Sequence, residues 1–206
     1  IKGINMSAEN EEKLLNESIS CPIKNIPVTG SYDVFVAGGG MAGVAAAVSA
    51  AKSGLRTCLV EYFGKPGGIP VSGTLAVFNG FDMEHEHCVG GFALEVKDEL
   101  NACGGLSNQA RSACDPEKLS SILLKLLTNA GVTVYFYTQL IQAVRQNRCA
   151  THAIIASKSG IEAISAKVFI DATGDGDLSA MLDCPYEKGR PSDGLAQSAT
   201  LVVKLG

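Results

Sequence analysis

Three glycines stand at a fixed spacing in the run Gly38-Gly39-Gly40-Met41-Ala42-Gly43. Each answers a separate physical demand. Gly38 makes a tight turn, Gly40 leaves room for a diphosphate to approach the backbone, and Gly43 lets the next helix pack close to the strand before it. A diphosphate so placed rests on free N–H groups at the positive end of a helix. Alone the pattern is common, but its context here is complete. An apolar run, Val34 to Ala37, precedes it, and an alanine-rich stretch follows. Glu61 then closes the next apolar run at the expected distance of about 20 residues. A carboxylate there accepts hydrogen bonds from ribose hydroxyls, and it repels a 2′-phosphate, which disfavours NADP.

Two more runs carry chemistry. Gly64-Lys65-Pro66-Gly67-Gly68 follows Glu61 directly. Paired glycines let the chain run close to a bulky ligand; the plain alternative is a flexible loop. Phe169-Ile170-Asp171-Ala172-Thr173-Gly174-Asp175-Gly176-Asp177 reads as a buried strand running into small residues. Asp175 and Asp177, beside that turn, either bond ligand hydroxyls or cap a short helix from Leu178 to Leu182.

The elements that must position these residues follow from periodicity and punctuation. Val34 to Ala37 and Thr57 to Val60 read as buried parallel strands, with a helix from Met41 to Ser53 between them that Gly54 stops. That is a βαβ unit. Tyr62 to Gly80 is a loop. Helices are expected over Gly90 to Cys103 and Pro116 to Ala130, the second capped by Asp115. Val132 to Tyr137 is a third core strand. Leu140 to Arg145, Thr151 to Ser157 and Ile161 to Ser165 suit a β-meander, and Lys167 to Asp171 is a further strand. Ala199 to Leu205 alternates as one more. Residues 1–30 are polar and read as an extension, with a loose helix around Glu11 to Leu15.

Composition sets outer bounds. A 46% hydrophobic and 18% charged chain of 206 residues is ordinary for a globular domain. A net charge of −4 without a basic stripe argues against nucleic acid. No apolar run is long enough for a membrane span, and no signal-peptide h-region appears. The seven cysteines lack CxxC spacing and are odd in number, which favours a reducing cytoplasm over a disulfide framework.

Taken together, the chain resembles the FAD-dependent oxidoreductases that share the glutathione-reductase-type dinucleotide-binding fold. The residues that carry this are Tyr32 to Gly43, Leu59-Val60-Glu61 with Gly67-Gly68, and Phe169 to Asp177. Pro185 to Arg190, Asp193-Gly194 and Gln197 add to it. The resemblance runs from about Ser31 to the end and covers the N-terminal half of such proteins. It implies an α/β fold: a Rossmann-like FAD-binding domain, with a parallel sheet flanked by helices and a three-stranded β-meander. It implies FAD as cofactor, with Gly38, Gly40, Met41, Ala42, Gly43, Glu61 and Tyr62 at the adenosine and diphosphate end. Gly67 and Gly68 would lie toward the pyrophosphate and flavin. Gln139 and Leu140 would pass the adenine by position, and Ala172, Thr173, Gly174 and Asp177 would complete the site. The domains expected are an extension at 1–30, the FAD-binding domain at 31–183 and the start of a substrate region at 184–206.

Such proteins usually return, after a substrate region, for a final flavin-contacting segment. Here that segment is expected from a truncated or unseen region, a second polypeptide, or a homo-oligomer pairing through Thr200 to Leu205. The activity implied is hydride transfer to or from a small organic substrate. Two rivals stand beside it: a non-catalytic or truncated nucleotide-binding subunit, and an NAD-dependent dehydrogenase, which Glu61 permits. A dithiol reductase is disfavoured, since no cysteine pair follows Gly68. His85-Glu86-His87-Cys88 is read as a polar loop and not a metal site, because its residues are adjacent and no distant ligand joins them. Arg190 and His152 are the nominal acid–base candidates, and catalytic residues are otherwise unassigned.

Overall fold

The computed structural model describes residues 25–78, 90–107 and 113–203. The expected polar extension before Asn25 and the His85 to Cys88 cluster lie outside the described residues.

Val34 to Ala37 are buried on both sides, as a strand covered by two layers must be. They end β1, Val28–Ala37. The strand begins ahead of Tyr32 because backbone pairing continues where the side chains turn polar. Its partner register runs from Val28↔Ala163 to Ala37↔Asp171. α1, Met41–Lys52, follows and buries Gly43, Val44, Ala47 and Val48. Small residues on that stripe let it lie close to the sheet. Gly54 stops it in a left-handed conformation, φ +84°. β2, Thr57–Val60, is wholly buried and parallel to β1, which closes the βαβ unit.

α2, Phe92–Ala102, buries Val96 and Leu100. α3, Pro116–Asn129, buries Leu119, Ile122, Leu123, Leu126 and Leu127, a 3.6-residue stripe. Asp115 caps it by accepting the N–H groups of Glu117 at 2.8 Å and Lys118 at 3.2 Å. β3, Thr133–Tyr135, lies parallel to β2. β4, Gln139–Gln146, β5, Cys149–Ser157, and β6, Gly160–Asp171, run antiparallel to one another in turn. The six-stranded sheet has the order β3-β2-β1-β6-β5-β4. This is an α/β, Rossmann-like architecture with mixed strand directions.

β1 divides its side chains between two cores with the strand period of two. Val34 and Val36 join Val44, Leu59, Leu119 and Leu123 on the helical side. Phe35 and Ala37 join Val60, Ala153, Ile155 and Ile164 on the meander side. Each core position in β1 and β2 thus faces one of two buried layers, and since both faces are covered the apolar runs are continuous.

Three expectations need correction. Ile161 to Ser165 and Lys167 to Asp171 are one strand, β6, because no turn-forming residue separates them. Val132 precedes β3, and the chain leaves that strand after Tyr135, before the left-handed Tyr137, φ +50°. Residues 199–203 form neither helix nor strand. Their alternation meets no pairing strand among the described residues, and Leu201 is 90% exposed.

Candidate dinucleotide site

The carboxyl ends of β2, β1 and β6 lie side by side, and α1 leaves from the middle one. In an open α/β sheet this is where a crevice forms, because the connections on either side of the central strand depart in different directions. A cavity of about 800 Å³ sits there. Of the positions expected to hold a cofactor, all but Gly43 line it: Gly38, Gly40, Met41, Ala42, Glu61, Tyr62, Gly67, Gly68, Leu140, Ala172, Thr173, Gly174 and Asp177.

The glycine turn separates into three structural demands. Gly38 has φ +94°, and a Cβ on it would stand 2.5 Å from the Ala172 carbonyl oxygen. A Cβ on Gly43 would stand 1.8 Å from the Gly38 carbonyl oxygen, so the helix can approach only without one. Gly43 therefore serves packing from outside the cavity. Gly40 is different. A Cβ there meets only the Gly68 Cα, at 4.0 Å, so its bare face opens on empty space. Gly40 is also the N-cap of α1 and no side chain caps that end. The first-turn amides of Met41, Ala42 and Gly43 thus have no intrahelical acceptor and offer themselves to an anion.

Glu61 is buried, one residue past β2. Its Oε2 accepts the Gly39 N–H at 2.6 Å and its Oε1 accepts the Phe63 N–H at 2.7 Å. Two fixed donors aim the carboxylate, and its remaining lone pairs stay available for hydroxyl groups. Gly39 had no role assigned from sequence. A Cβ on it would fall 2.8 Å from Glu61 Oε2, so this glycine is required by a side chain 22 positions away.

The second glycine run folds back on the first. The Gly67 N–H donates to the Gly39 carbonyl at 2.8 Å. Gly67 and Gly68 both have positive φ, +128° and +59°. Lys65 pairs with Glu117 at 2.7 Å on the surface, a contact of small energetic weight. Tyr62 and Phe63 meet edge to face, with ring centroids 5.1 Å apart, at the cavity rim.

At the end of β6 the capping alternative for two aspartates falls away. α4, Asp177–Met181, begins after Gly176 in the left-handed conformation and has no side-chain cap. Neither Asp175 nor Asp177 caps it. The Asp177 N–H donates instead to Thr173 Oγ1 at 2.7 Å. Asp171, also missed from sequence, accepts from Thr173 and Ser179. Burial works against its charge, but these hydrogen bonds outweigh it and hold the carboxyl below its ordinary value. His152 and Arg190 do not line the cavity. His152 contacts Thr151, and Arg190 pairs with Asp193. Among the described residues no group of His, Cys, Asp and Glu side chains is set to hold a metal ion.

An open glycine face over uncapped helix amides, with a pinned carboxylate beside it, fits the diphosphate and ribose of a dinucleotide. The family model for FAD-dependent oxidoreductases matches residues 33–206. No curated protein sequence matches the chain. Among solved structures, it resembles a geranylgeranyl bacteriochlorophyll reductase-like protein from Thermoplasma acidophilum, with TM-score 0.53 and 22% identity over 74% of this chain and 42% of that one. It also resembles a myxobacterial FAD-dependent chondrochloren halogenase, with TM-score 0.55 and 18% identity over 71% and 38%. L-proline dehydrogenase from P. horikoshii gives TM-score 0.54 and 14% identity over 77% and 57%. These likenesses speak to the fold. The chain spans less than two thirds of the length of each.

Proposed function

This chain belongs to the FAD-dependent oxidoreductase family, and from that membership we propose that its cavity holds FAD while the whole protein moves a hydride to or from a small organic substrate. When bound, FAD supplies the two-electron chemistry. The chain's own residues bind and orient. Glu61 takes the adenosine ribose hydroxyls. The amides of Met41 and Ala42 take the diphosphate, which passes over Gly40 and Gly68. Tyr62 and Leu140 border the adenine, and the turn from Ala172 to Asp177 faces the ribityl end.

The observation that carries this reading is the Glu61 carboxylate, fixed by the Gly39 and Phe63 amides beside the open face of Gly40. A glycine turn with no ligand has no need of an aimed, buried carboxylate. The test is the visible spectrum of the purified protein, followed by heat release and mass measurement of the nucleotide. A flavin band with the mass of FAD supports the proposal. Released NAD would replace it with a nicotinamide dehydrogenase, and a colourless, folded protein that takes up no FAD would leave a non-catalytic subunit.

The finer assignments belong to the same proposal. The FAD-binding domain runs to 183 and starts with β1 at Val28, ahead of the expected boundary at 31, because 28–30 already pair in the sheet, and 184–206 begin a substrate region. Exposed Leu201 and Val203 suit cover by a second polypeptide or a second copy, which native mass would reveal. A cytoplasmic setting is supported by the free thiols of Cys58, Cys103, Cys114, Cys149 and Cys184. Among the described residues no helix is long and apolar enough to cross a membrane.

A further inference from the structure

We propose that Asp171 is a positioning residue for the cofactor-facing turn: its carboxylate, gripped by Thr173 and Ser179, sets the course of residues 172–177 along the cavity. The inference rests on the FAD reading of that cavity.

Asp171 is the last residue of β6 and stands in register with Ala37. It does not itself line the cavity, whereas Ala172, Thr173, Gly174, Asp175 and Asp177 do. Its Oδ1 accepts the Thr173 N–H at 3.1 Å and the Thr173 hydroxyl at 2.7 Å. Its Oδ2 accepts the Ser179 N–H at 2.8 Å. The Thr173 hydroxyl, which donates its hydrogen bond to Asp171, in turn accepts the Asp177 N–H at 2.7 Å. Strand end, turn and first helical turn are therefore joined through two side chains.

The region needs such a clamp. α4 is only five residues long, far too short to form on its own propensity. Gly176 opens it in the left-handed region with no capping side chain. Two of its orphan amides, those of Asp177 and Ser179, are met by Thr173 and Asp171 in place of a cap. Buried Leu178 anchors the helix from beneath. The carboxylate matters as an acceptor on both oxygens. An amide in its place keeps one acceptor and presents a donor to one of the two N–H groups.

The experiment uses the full chain freed of nucleotide, with FAD as the probe. Binding is followed by flavin fluorescence well below the unfolding temperature, and thermal melting is recorded separately. Asp171→Asn is expected to weaken FAD binding about tenfold or more while far-UV circular dichroism stays that of the wild type. Thr173→Val is expected to weaken it severalfold, and Thr173→Ser, which keeps the hydroxyl, to restore it. In the ligand-free protein, the Asp177 and Ser179 amides should exchange faster in Asp171→Asn than in the wild type. A variant with lowered melting temperature but unchanged FAD affinity would show a purely structural carboxylate and overturn the proposal. Should Asp171→Asn fail to fold, equal affinities of the Thr173→Val and Thr173→Ser proteins overturn it instead. Failure of the wild type to take up FAD is a different result and removes the site assignment itself, and this proposal with it.

Discussion

Gly68 rests against Gly40 so closely that a Cβ on Gly68 would stand 2.9 Å from the Gly40 Cα. The two glycine runs thus meet backbone to backbone, and the Gly67 N–H to Gly39 carbonyl bond holds them together. Gly68 also has φ +59°, where an L side chain costs roughly 1–2 kcal/mol. Gly68→Ala is therefore expected to part the two turns. FAD affinity should fall about tenfold. Titration of the apoprotein with FAD checks this, and an unaltered affinity would mean the contact has no bearing on the ligand.

Gly40 and Gly43 should behave as opposites. Gly40 has φ −66°, which any residue adopts, and a Cβ on it meets only the Gly68 Cα at 4.0 Å, so Gly40→Val keeps an allowed backbone and a clear Cβ. The valine would fill the approach of the diphosphate. The expected outcome is a folded protein without flavin. Gly43→Ala puts its methyl into the Gly38 carbonyl and should cost ~1–3 kcal/mol of stability with or without FAD. Melting curves and flavin content of the two variants decide the matter; stoichiometric FAD in Gly40→Val would refute the turn's assignment.

Glu61→Ala removes the acceptor of two backbone donors and the ribose contact together. A charge-assisted hydrogen bond is worth about 1.5–3 kcal/mol, or one to two decades in affinity. Glu61→Gln keeps one acceptor oxygen and should lose less. Dissociation constants for FAD in the three proteins provide the comparison, and equal values would place Glu61 away from the ligand.

Acid should reveal the grip on Asp171. Its carboxyl is held below the ordinary 3.8, so the folded state gains where the unfolded carboxyl is already ionised, above about pH 4. That gain disappears as pH falls through the lower folded value. The melting temperature of the wild type should therefore drop more steeply than that of Asp171→Asn as the pH falls below about 4. Parallel curves would mean that the bonds from Thr173 and Ser179 are weak in solution.

The thiols should sort by burial. Desolvation pushes Cys58 up to about 12 and Cys114 up to about 11, the latter helped by the Asp115 charge. The thiolate is the reactive form, so both should alkylate about a hundredfold or more slowly than exposed Cys103, Cys149 and Cys184 at neutral pH. Timed iodoacetamide labelling with peptide mass analysis measures the order. Early modification of Cys58 would contradict its burial between the layers.

What could be read from the sequence was what local rules decide. Gly38, Gly40 and Gly43 announce themselves because a strand, a turn and a helix meet at fixed spacing. Glu61 does so because a strand of known length ends there. Asp115 and Pro116 mark a helix start by composition alone. The illegible part depends on distant partners. Gly39 is a glycine because the Glu61 side chain packs where its Cβ would stand, and nothing near Gly39 says so. Asp171 looks like an ordinary strand end until the chain turns and brings Ser179 back to it. Ser165 and Lys167 interrupt the apolar pattern of β6, yet backbone pairing with β1 runs straight through. At residues 199–203 the opposite holds: an alternating pattern is present, but without a pairing strand it makes none.

β1 has a long wait for one of its neighbours. β2 is close behind it in the chain, but the Ser165 hydroxyl that bonds the Gly30 carbonyl is 135 positions later. Pairings across such a separation form slowly. While the chain is being synthesised, β1, α1 and β2 can assemble early, leaving the other edge of β1 bare until residues 163–171 leave the ribosome. That edge is apolar on both faces between Val34 and Ala37 and invites any extended strand. The hazardous interval in making this protein is thus the stretch of translation between β2 and β6, when a chaperone that shields unpaired strands would have most effect on yield.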